Sequence, residues 1–279
     1  MIKVNRIKKS YTNGTYALAG VSFKIDKKIT SIIGRNGAGK TTLMRILSTQ
    51  LTPSSGTASI NGYDILKDAN KIRKIIVSIP QEARPIYYHN VLDSVRLYLS
   101  ARGLNIEQAT KRAEKALRQV GLWEVKDEVS NKLSGGMKRK IFVAMVLASE
   151  ADIIFLDEPT TALDPISRLE VWSAIKLLKG QTVLTTHYME EAQALSDEVI
   201  MIDKGKILAQ GKPTKLLSQF EGMVRVESRR RYKNSYKVAN TYVSYIKSKQ
   251  AESFILKGDI VKPVTLDDLF IKKGVNLES

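Results

Sequence analysis

The stretch that decides the fold of this chain is Gly34-Arg35-Asn36-Gly37-Ala38-Gly39-Lys40-Thr41-Thr42. It fits the phosphate-loop pattern G-x-x-x-x-G-K-S/T. The apolar run 29–33 before it predicts a buried strand, and residues 41–47 after it predict the start of a helix. Glycines let several backbone N–H groups point at one anion, and a helix N-terminus adds positive potential. The stretch therefore predicts a cradle for nucleotide phosphates, with Lys40 at the β- and γ-phosphates and Thr41 on Mg²⁺.

A second candidate element ends in two acids. The apolar residues 153–156 predict a central parallel strand buried on both faces, and Asp157 and Glu158 follow directly. Ligands of open α/β sheets bind at the carboxyl ends of the strands. We therefore expect Asp157 to help hold Mg²⁺ and Glu158 to polarise an attacking water. Taken alone, the pattern also describes a buried strand that ends in surface carboxylates, and the phosphate loop upstream favours the functional interpretation.

A third candidate element is Leu133-Ser134-Gly135-Gly136-Met137, which precedes a helical stretch from Lys138 to Ser149. Ser134 is a good N-cap, and the two glycines leave backbone N–H groups uncovered at the start of a helix. The pattern predicts a second anion site, one without a lysine. Its simpler interpretation is a capped helix after a loop.

Together these motifs resemble the nucleotide-binding subunit of an ATP-binding cassette (ABC) transporter. The signature of that family reads L-S-G-G-Q, which Leu133 to Gly136 match, while Met137 replaces the usual Gln. The match runs from about residue 3 to residue 217 and includes Tyr11 as the adenine-stacking aromatic, Gln81 in the Q-loop, Ala162-Leu163-Asp164 as the D-loop and His187 as the switch histidine. Each of these has an ordinary interpretation as well, such as a loop aromatic, a polar strand end or a helix cap. Their shared order favours the functional one.

The resemblance implies an Mg²⁺-dependent ATPase that takes ATP and Mg²⁺ as its cofactors. The implied catalytic residues are Glu158, His187, Gln81 and Lys40. The implied metal ligands are Thr41, Gln81 and Asp157. The implied nucleotide contacts are Tyr11, Gly34, Arg35, Asn36, Gly37, Ala38, Gly39, Lys40, Thr41, Thr42, Ser134, Gly135, Gly136 and Asp164.

The resemblance also implies that one chain is half of an enzyme. Two cassettes face each other head to tail, and each ATP lies between the phosphate loop of one chain and Ser134 and Gly136 of the other. The expected partners are a second copy of the chain or a homologous cassette, and a membrane-spanning permease subunit on a separate chain. Residues 186–192 and 265–270 are similar to segments of ABC-2-type exporters, which favours an exporter.

The predicted fold class is α/β: a P-loop NTPase ABC cassette with a mixed or parallel sheet core and an N-terminal antiparallel β subdomain. Residues 75–79 predict a further buried strand. Helical spacing at 91–99 and 113–120 predicts an inserted helical subdomain at about 86–150, within an ABC ATPase domain of residues 1–220. Residues 221–279 are predicted to form a small C-terminal appendage, an accessory segment of strands with a final helix.

Composition sets outer bounds on the protein class. The chain has 279 residues, is 43% hydrophobic and 26% charged, and contains no cysteine, which excludes disulfides and cysteine-ligated metal. No apolar run approaches the roughly 18 residues of a membrane-spanning helix, and the N-terminus lacks the apolar core of a signal peptide. We therefore expect a cytoplasmic protein, peripheral at the cytoplasmic face of the cell membrane.

The net charge of +17 keeps a competing interpretation open, a soluble ABC ATPase acting on the ribosome or DNA. The basic residues are dispersed along the chain, so no specific nucleic acid is expected. An importer cassette and a non-catalytic nucleotide-sensing module are further alternatives. Intact Lys40, Asp157, Glu158 and His187 argue against the non-catalytic module, because a silent site usually lacks one of them.

Overall fold

The computed structural model describes residues 1–12 and 14–274. The strands are β1 (Ile2–Ser10), β2 (Tyr16–Ile25), β3 (Ile29–Ile33), β4 (Ser55–Ile60), β5 (Tyr63–Asp64), β6 (Ile76–Ile79), β7 (Ile153–Asp157), β8 (Gln181–Thr186), β9 (Glu198–Asp203), β10 (Lys206–Gly211), β11 (Met223–Ser228), β12 (Tyr236–Val238), β13 (Thr241–Lys247) and β14 (Ile260–Lys262). The α-helices are α1 (Lys40–Leu47), α2 (Ala69–Ile75), α3 (Val91–Ala101), α4 (Ile106–Gln119), α5 (Gly135–Ser149), α6 (Pro165–Lys176), α7 (Met189–Leu195), α8 (Pro213–Leu217), α9 (Ala251–Ile255) and α10 (Leu266–Gly274). Among the described residues, no helix is both long enough and apolar enough to cross a membrane.

The central sheet has the strand order β10-β9-β3-β8-β7-β6. Strands β9, β3, β8, β7 and β6 run parallel, and β10 is antiparallel at the edge. Every residue of β3 and β7 is buried, as their apolar runs predict for strands covered on both faces. The carboxyl ends of β3, β7 and β8 meet at one edge, where Gly34, Glu158 and His187 follow them. The strand predicted at 75–79 begins at Ile76, because Ile75 completes α2.

The N-terminal strands form the predicted antiparallel subdomain, with the order β2-β1-β4-β5. Its fully buried Ile2, Ile25 and Ile60 share one apolar cluster with Leu43 of α1 and Phe155 of β7. Helix α1 contacts strands of both sheets. The phosphate loop is therefore held between two packed layers.

The inserted helical subdomain is present as α3, α4 and α5, which pack on one another. Both α3 and α4 begin at an asparagine cap, because Asn90 Oδ1 and Asn105 Oδ1 accept backbone N–H groups at 2.6 and 2.9 Å. The limits of about 86–150 for this subdomain stay a prediction.

The C-terminal segment contains a four-stranded antiparallel sheet of order β12-β13-β11-β14, followed by α10. The predicted strands and final helix are both found, and residues 251–255 add the short helix α9. Leu269 and Phe270 of α10 share a buried cluster with Met189 and Ala192 of α7. The segment therefore packs on the cassette through α7 and α8. A domain boundary at residue 220 stays a prediction.

A buried carboxylate anchors α10. Asp268 is fully buried, and its side chain accepts hydrogen bonds from the Thr265 N–H at 2.7 Å and from the Tyr245 hydroxyl at 3.0 Å. Arg225 of β11 adds an ion pair at 3.3 Å. Strands β11 and β13 are thus tied to the helix that contacts α7.

Candidate nucleotide-binding and catalytic site

The phosphate loop is packed so closely that two of its glycines admit no side chain. A Cβ at Gly34 would lie 2.3 Å from the carbonyl oxygen of Ile202. At Gly39, where φ is +103°, a Cβ would lie 2.4 Å from the carbonyl oxygen of Ala17. Helix α1 begins at the next residue, and no side chain caps its first turn. The first-turn N–H groups are therefore available to an anion, as the sequence predicts.

The side chain of Lys40 folds back onto the phosphate loop. Its Nζ donates to the carbonyl oxygens of Gly34 at 2.8 Å and Arg35 at 3.3 Å. The same ammonium lies 3.4 Å from Glu158 Oε1, and both side chains are buried. Phosphate oxygens are strong charge-assisted acceptors and compete with these contacts. Lys40 is thus poised at the predicted phosphate site, and Glu158 balances its charge.

Glu158 contacts two of the other predicted catalytic residues, Lys40 and His187. Its backbone adopts φ of +46°, an uncommon left-handed conformation for a non-glycine residue, and its N–H donates to Thr185 Oγ1 at 3.0 Å. Its Oε2 accepts from Thr161 Oγ1 at 2.9 Å and lies 3.1 Å from His187 Nδ1. The backbone at the end of β7 therefore directs the Glu158 carboxylate toward both Lys40 and His187.

The residues predicted to hold Mg²⁺ suit that ion. Asp157 is buried, and its carboxylate accepts a hydrogen bond from the Thr185 hydroxyl. Burial raises the pKa of the Asp157 carboxyl, and the hydroxyls of Thr185 and Thr41 act in the opposite direction. Oxygen ligands of this kind are those that Mg²⁺ prefers. Asp157 and Thr41 therefore fit a magnesium site, and Gln81 lines the cavity above them.

A cavity of about 730 Å³ opens above the loop, within the roughly 300–1,000 Å³ usual for ligand sites. Tyr11 stands beside it, with its hydroxyl 3.3 Å from Thr42 Oγ1 and its side chain partly exposed. Tyr16 lines the cavity directly, so the site has a second aromatic that the sequence analysis missed. The adenine contact of Tyr11 stays a prediction. The cavity is lined by Thr15, Tyr16, Ala17, Asn36, Gly37, Gly39, Lys40, Thr41, Thr42, Gln81, Glu158, Thr161 and His187.

The signature residues lie elsewhere on the chain surface. Ser134 Oγ accepts from the Met137 N–H at 3.2 Å, so Ser134 caps α5 as predicted. Ser134 and Gly135 are exposed, and neither is among the described residues that line the phosphate-loop cavity. Gly136 is buried, and a Cβ there would lie 2.5 Å from Ser167 Oγ. One chain therefore does not bring the signature motif and the phosphate loop together.

Asp164 is also exposed, at the end of the loop that leads from Glu158 into α6. Its Oδ1 accepts from the N–H groups of Ile166 and Ser167 at 3.1 and 3.0 Å. The carboxylate is therefore the N-cap of α6, as the alternative interpretation of Asp164 expects. The contact of Asp164 with nucleotide stays a prediction.

The family model described as ABC transporter matches residues 18–161, from within β2 to the loop after β7. The chain belongs to the ABC transporter family. The doxorubicin resistance ATP-binding protein DrrA of Mycobacterium tuberculosis is 39% identical over 220 residues, which cover 77% of this chain and 66% of that protein. The chain thus spans 66% of the length of this protein and of the daunorubicin resistance ATP-binding protein DrrA3 of Streptomyces coeruleorubidus.

Solved structures of ABC proteins share the fold. The structure of cbiO1 from Clostridium perfringens, part of the ABC transporter complex cbiONQ, is 29% identical with a TM-score of 0.70, covering 79% of this chain and 91% of that one. The dimeric ATP-binding cassette MJ0796, in a post-hydrolysis state bound to ADP and Pi, is 28% identical with a TM-score of 0.68, covering 76% and 98%. These similarities confirm the predicted ABC cassette fold.

Two supporting threonines escaped the sequence analysis. Thr185 bonds both Asp157 and the Glu158 N–H, and Thr161 bonds the Glu158 carboxylate. The pairing of β7 with β8 places Asp157 opposite Thr185, which is far away in the sequence. The available signal for Thr185 was the pair Thr185-Thr186, which ends β8 directly before His187.

Proposed function

We propose that this chain is the ATP-hydrolysing subunit of an ABC exporter, and that two copies close around two ATP molecules and drive a separate membrane-spanning subunit. The observation that carries the hydrolytic part is the position of one carboxylate. Glu158 lies 3.4 Å from Lys40 Nζ and 3.1 Å from His187 Nδ1, on the wall of the phosphate-loop cavity. A base, a cation and a histidine thus converge where a terminal phosphate is expected to sit.

The proposed chemistry follows from what these groups already contact. The phosphates of ATP enter the cradle and draw Lys40 away from Glu158, because a polyphosphate carries more charge than one carboxylate. Glu158 then accepts a proton from the attacking water and orients it in line with the γ-phosphorus. His187 contacts the γ-phosphate, and Lys40 stabilises the negative charge that spreads over it. Thr41, Asp157 and Gln81 would hold Mg²⁺, which neutralises phosphate charge when bound.

Dimerisation would add N–H donors from a second chain to the phosphate-loop cavity. The capped N-terminus of the 15-residue helix α5 is exposed at Ser134 and Gly135, away from the phosphate-loop cavity. One helix terminus and Lys40 offset only part of the charge of ATP, so a second set of N–H donors from a facing copy adds stabilisation. The dimeric state of the similar cassette MJ0796 supports this arrangement.

An exporter with a separate permease is the best-supported assembly. The name of the M. tuberculosis relative refers to doxorubicin resistance, in keeping with outward transport. The segment that follows Gln81 exposes Ile86, Tyr87 and Tyr88 to solvent by 56, 60 and 81%. Such an apolar surface suits a short helix of a membrane subunit, and its use would hold the chain at the cytoplasmic face.

One observation favours a second candidate function. The net charge of +17 suits a soluble ABC ATPase that binds ribosomes or DNA. The dispersal of the basic residues and the drug-resistance names of the relatives weigh against it.

The test is a pull-down from native membranes with tagged Glu158→Gln and Mg-ATP, analysed by mass spectrometry. Glu158→Gln without nucleotide is the matched control for the effect of ATP on capture. We expect a multi-span membrane protein in stoichiometric amount with the Mg-ATP bait. Ribosomal proteins or nucleic acid, with no membrane subunit, would overturn the exporter proposal and support the second candidate.

A further inference from the structure

A second carboxylate lies behind the site and is sealed from solvent. Glu191, on α7 four residues after His187, is fully buried. Its Oε1 accepts from the Thr160 hydroxyl at 2.7 Å and from the Trp172 indole N–H at 2.8 Å. Burial raises the pKa of this carboxyl. The proposed hydrolysis makes no direct use of Glu191, although a buried carboxyl group is costly unless it is hydrogen-bonded, and Glu191 Oε2 has no hydrogen-bond partner among the described residues.

The two donors come from the elements that carry the rest of the site. Thr160 lies in the loop between β7 and α6, two residues after Glu158 and four before Asp164. Trp172 lies on α6, the helix into which that loop leads. Glu191 therefore joins the segment that carries His187 to the loop that carries Glu158.

The carboxylates of Glu158 and Glu191 thus both connect the segment that carries His187 to the loop between β7 and α6, Glu158 at the cavity wall and Glu191 in the interior. In front, Glu158 Oε2 contacts Thr161 and His187 at the wall of the cavity. Behind it, Glu191 Oε1 accepts from Thr160 and Trp172. The front contacts change when ATP and water reach Glu158. The rear contacts involve none of the described residues that line the cavity.

We propose that Glu191 is a positioning residue that fixes the separation of His187 and Glu158 by acting as the shared acceptor for Thr160 and Trp172. It touches no substrate and acts through these two donors. The loop that it holds ends at Asp164, an exposed residue. This inference rests on the proposed ATP hydrolysis.

The test compares steady-state turnover and ATP affinity for Glu191→Ala, Glu191→Gln and the exposed control Glu190→Ala. A glutamine retains the oxygen that accepts both hydrogen bonds, whereas an alanine leaves two donors without an acceptor. We expect Glu191→Ala to lower kcat by about 10- to 100-fold, the scale of a small misplacement of catalytic groups, with the Kd for ATP changed by less than about threefold. Glu191→Gln should retain kcat within about threefold, and Glu190→Ala should match wild type.

Thr160→Val keeps the test decisive if Glu191→Ala fails to fold, because it preserves volume and removes only the hydroxyl donor. It should lower kcat with little change in Kd, and its effect should not add to that of Glu191→Ala. Equal losses in Glu191→Gln and Glu191→Ala, or wild-type turnover in Thr160→Val, would overturn the positioning role. Absence of ATP hydrolysis in the wild-type protein would instead overturn the proposed function.

Discussion

The contact between Lys40 and Glu158 predicts that Glu158→Gln binds ATP more tightly while hydrolysing it more slowly. The two charged atoms lie 3.4 Å apart in a site where both side chains are buried. Their direct attraction is about 5 kcal/mol at an effective dielectric constant of about 20. Desolvation of the two groups offsets most of this, so we expect a net gain in ATP binding of about 1–2 kcal/mol, or roughly a tenfold lower Kd. Glutamine is nearly isosteric, so the change removes charge and leaves the packing intact.

The assay is calorimetric titration with a non-hydrolysable ATP analogue, beside steady-state turnover with ATP. Turnover of Glu158→Gln should fall by at least about 100-fold, the scale of lost general-base catalysis. Glu190→Gln, which removes a carboxylate from an exposed position on α7, should leave both quantities unchanged. An unaltered or weaker Kd would refute the view that Glu158 restrains Lys40. Near-normal turnover would remove Glu158 from the mechanism.

Two further predictions concern packing. Gly136→Ala places a Cβ 2.5 Å from Ser167 Oγ, so in thermal melts it should lower the free energy of unfolding by about 1–3 kcal/mol. Adding Ser167→Gly should restore the stability. A fully stable single variant would contradict the close contact. Leu269→Ala leaves a cavity at a buried position of α10 beside α7 and should lower the free energy of unfolding by about 2–5 kcal/mol. Leu256→Ala, at an 82% exposed position, should lower it by less than about 0.5 kcal/mol. Equal effects of the two variants would argue against a packed C-terminal segment.

The parts of the site that the sequence predicted best are those whose chemistry needs adjacent residues. Lys40 and Thr41 follow the loop glycines in a recognisable pattern, and this pattern favours a functional interpretation of Asp157 and Glu158 at the end of another strand. Thr185 meets Asp157 only through the pairing of β7 with β8. Such contacts depend on register between distant strands, which local periodicity does not specify.

The packing of the C-terminal segment also depends on contacts between residues that are distant in the sequence. Its short strands and final helix follow from local pattern, yet the order β12-β13-β11-β14 is set by pairing between separated strands. Arg225 and Asp268 form an ion pair across 43 positions, and Leu269 packs with residues of α7. The resemblance of residues 186–192 and 265–270 to exporter segments does not indicate that the two segments contact each other, so the attachment of this segment to α7 required the structure.

The arrangement of two copies around ATP is tested most directly by the mass of Glu158→Gln in solution. Light scattering after size-exclusion chromatography should give twice the chain mass of 31.2 kDa with Mg-ATP, and the single mass with Mg-ADP or without nucleotide. Adding Ser134→Arg, which blocks the exposed start of α5, should return the ATP-bound protein to a monomer. A monomer with saturating Mg-ATP, or a dimer that forms regardless of nucleotide and of Ser134, would contradict the proposed arrangement.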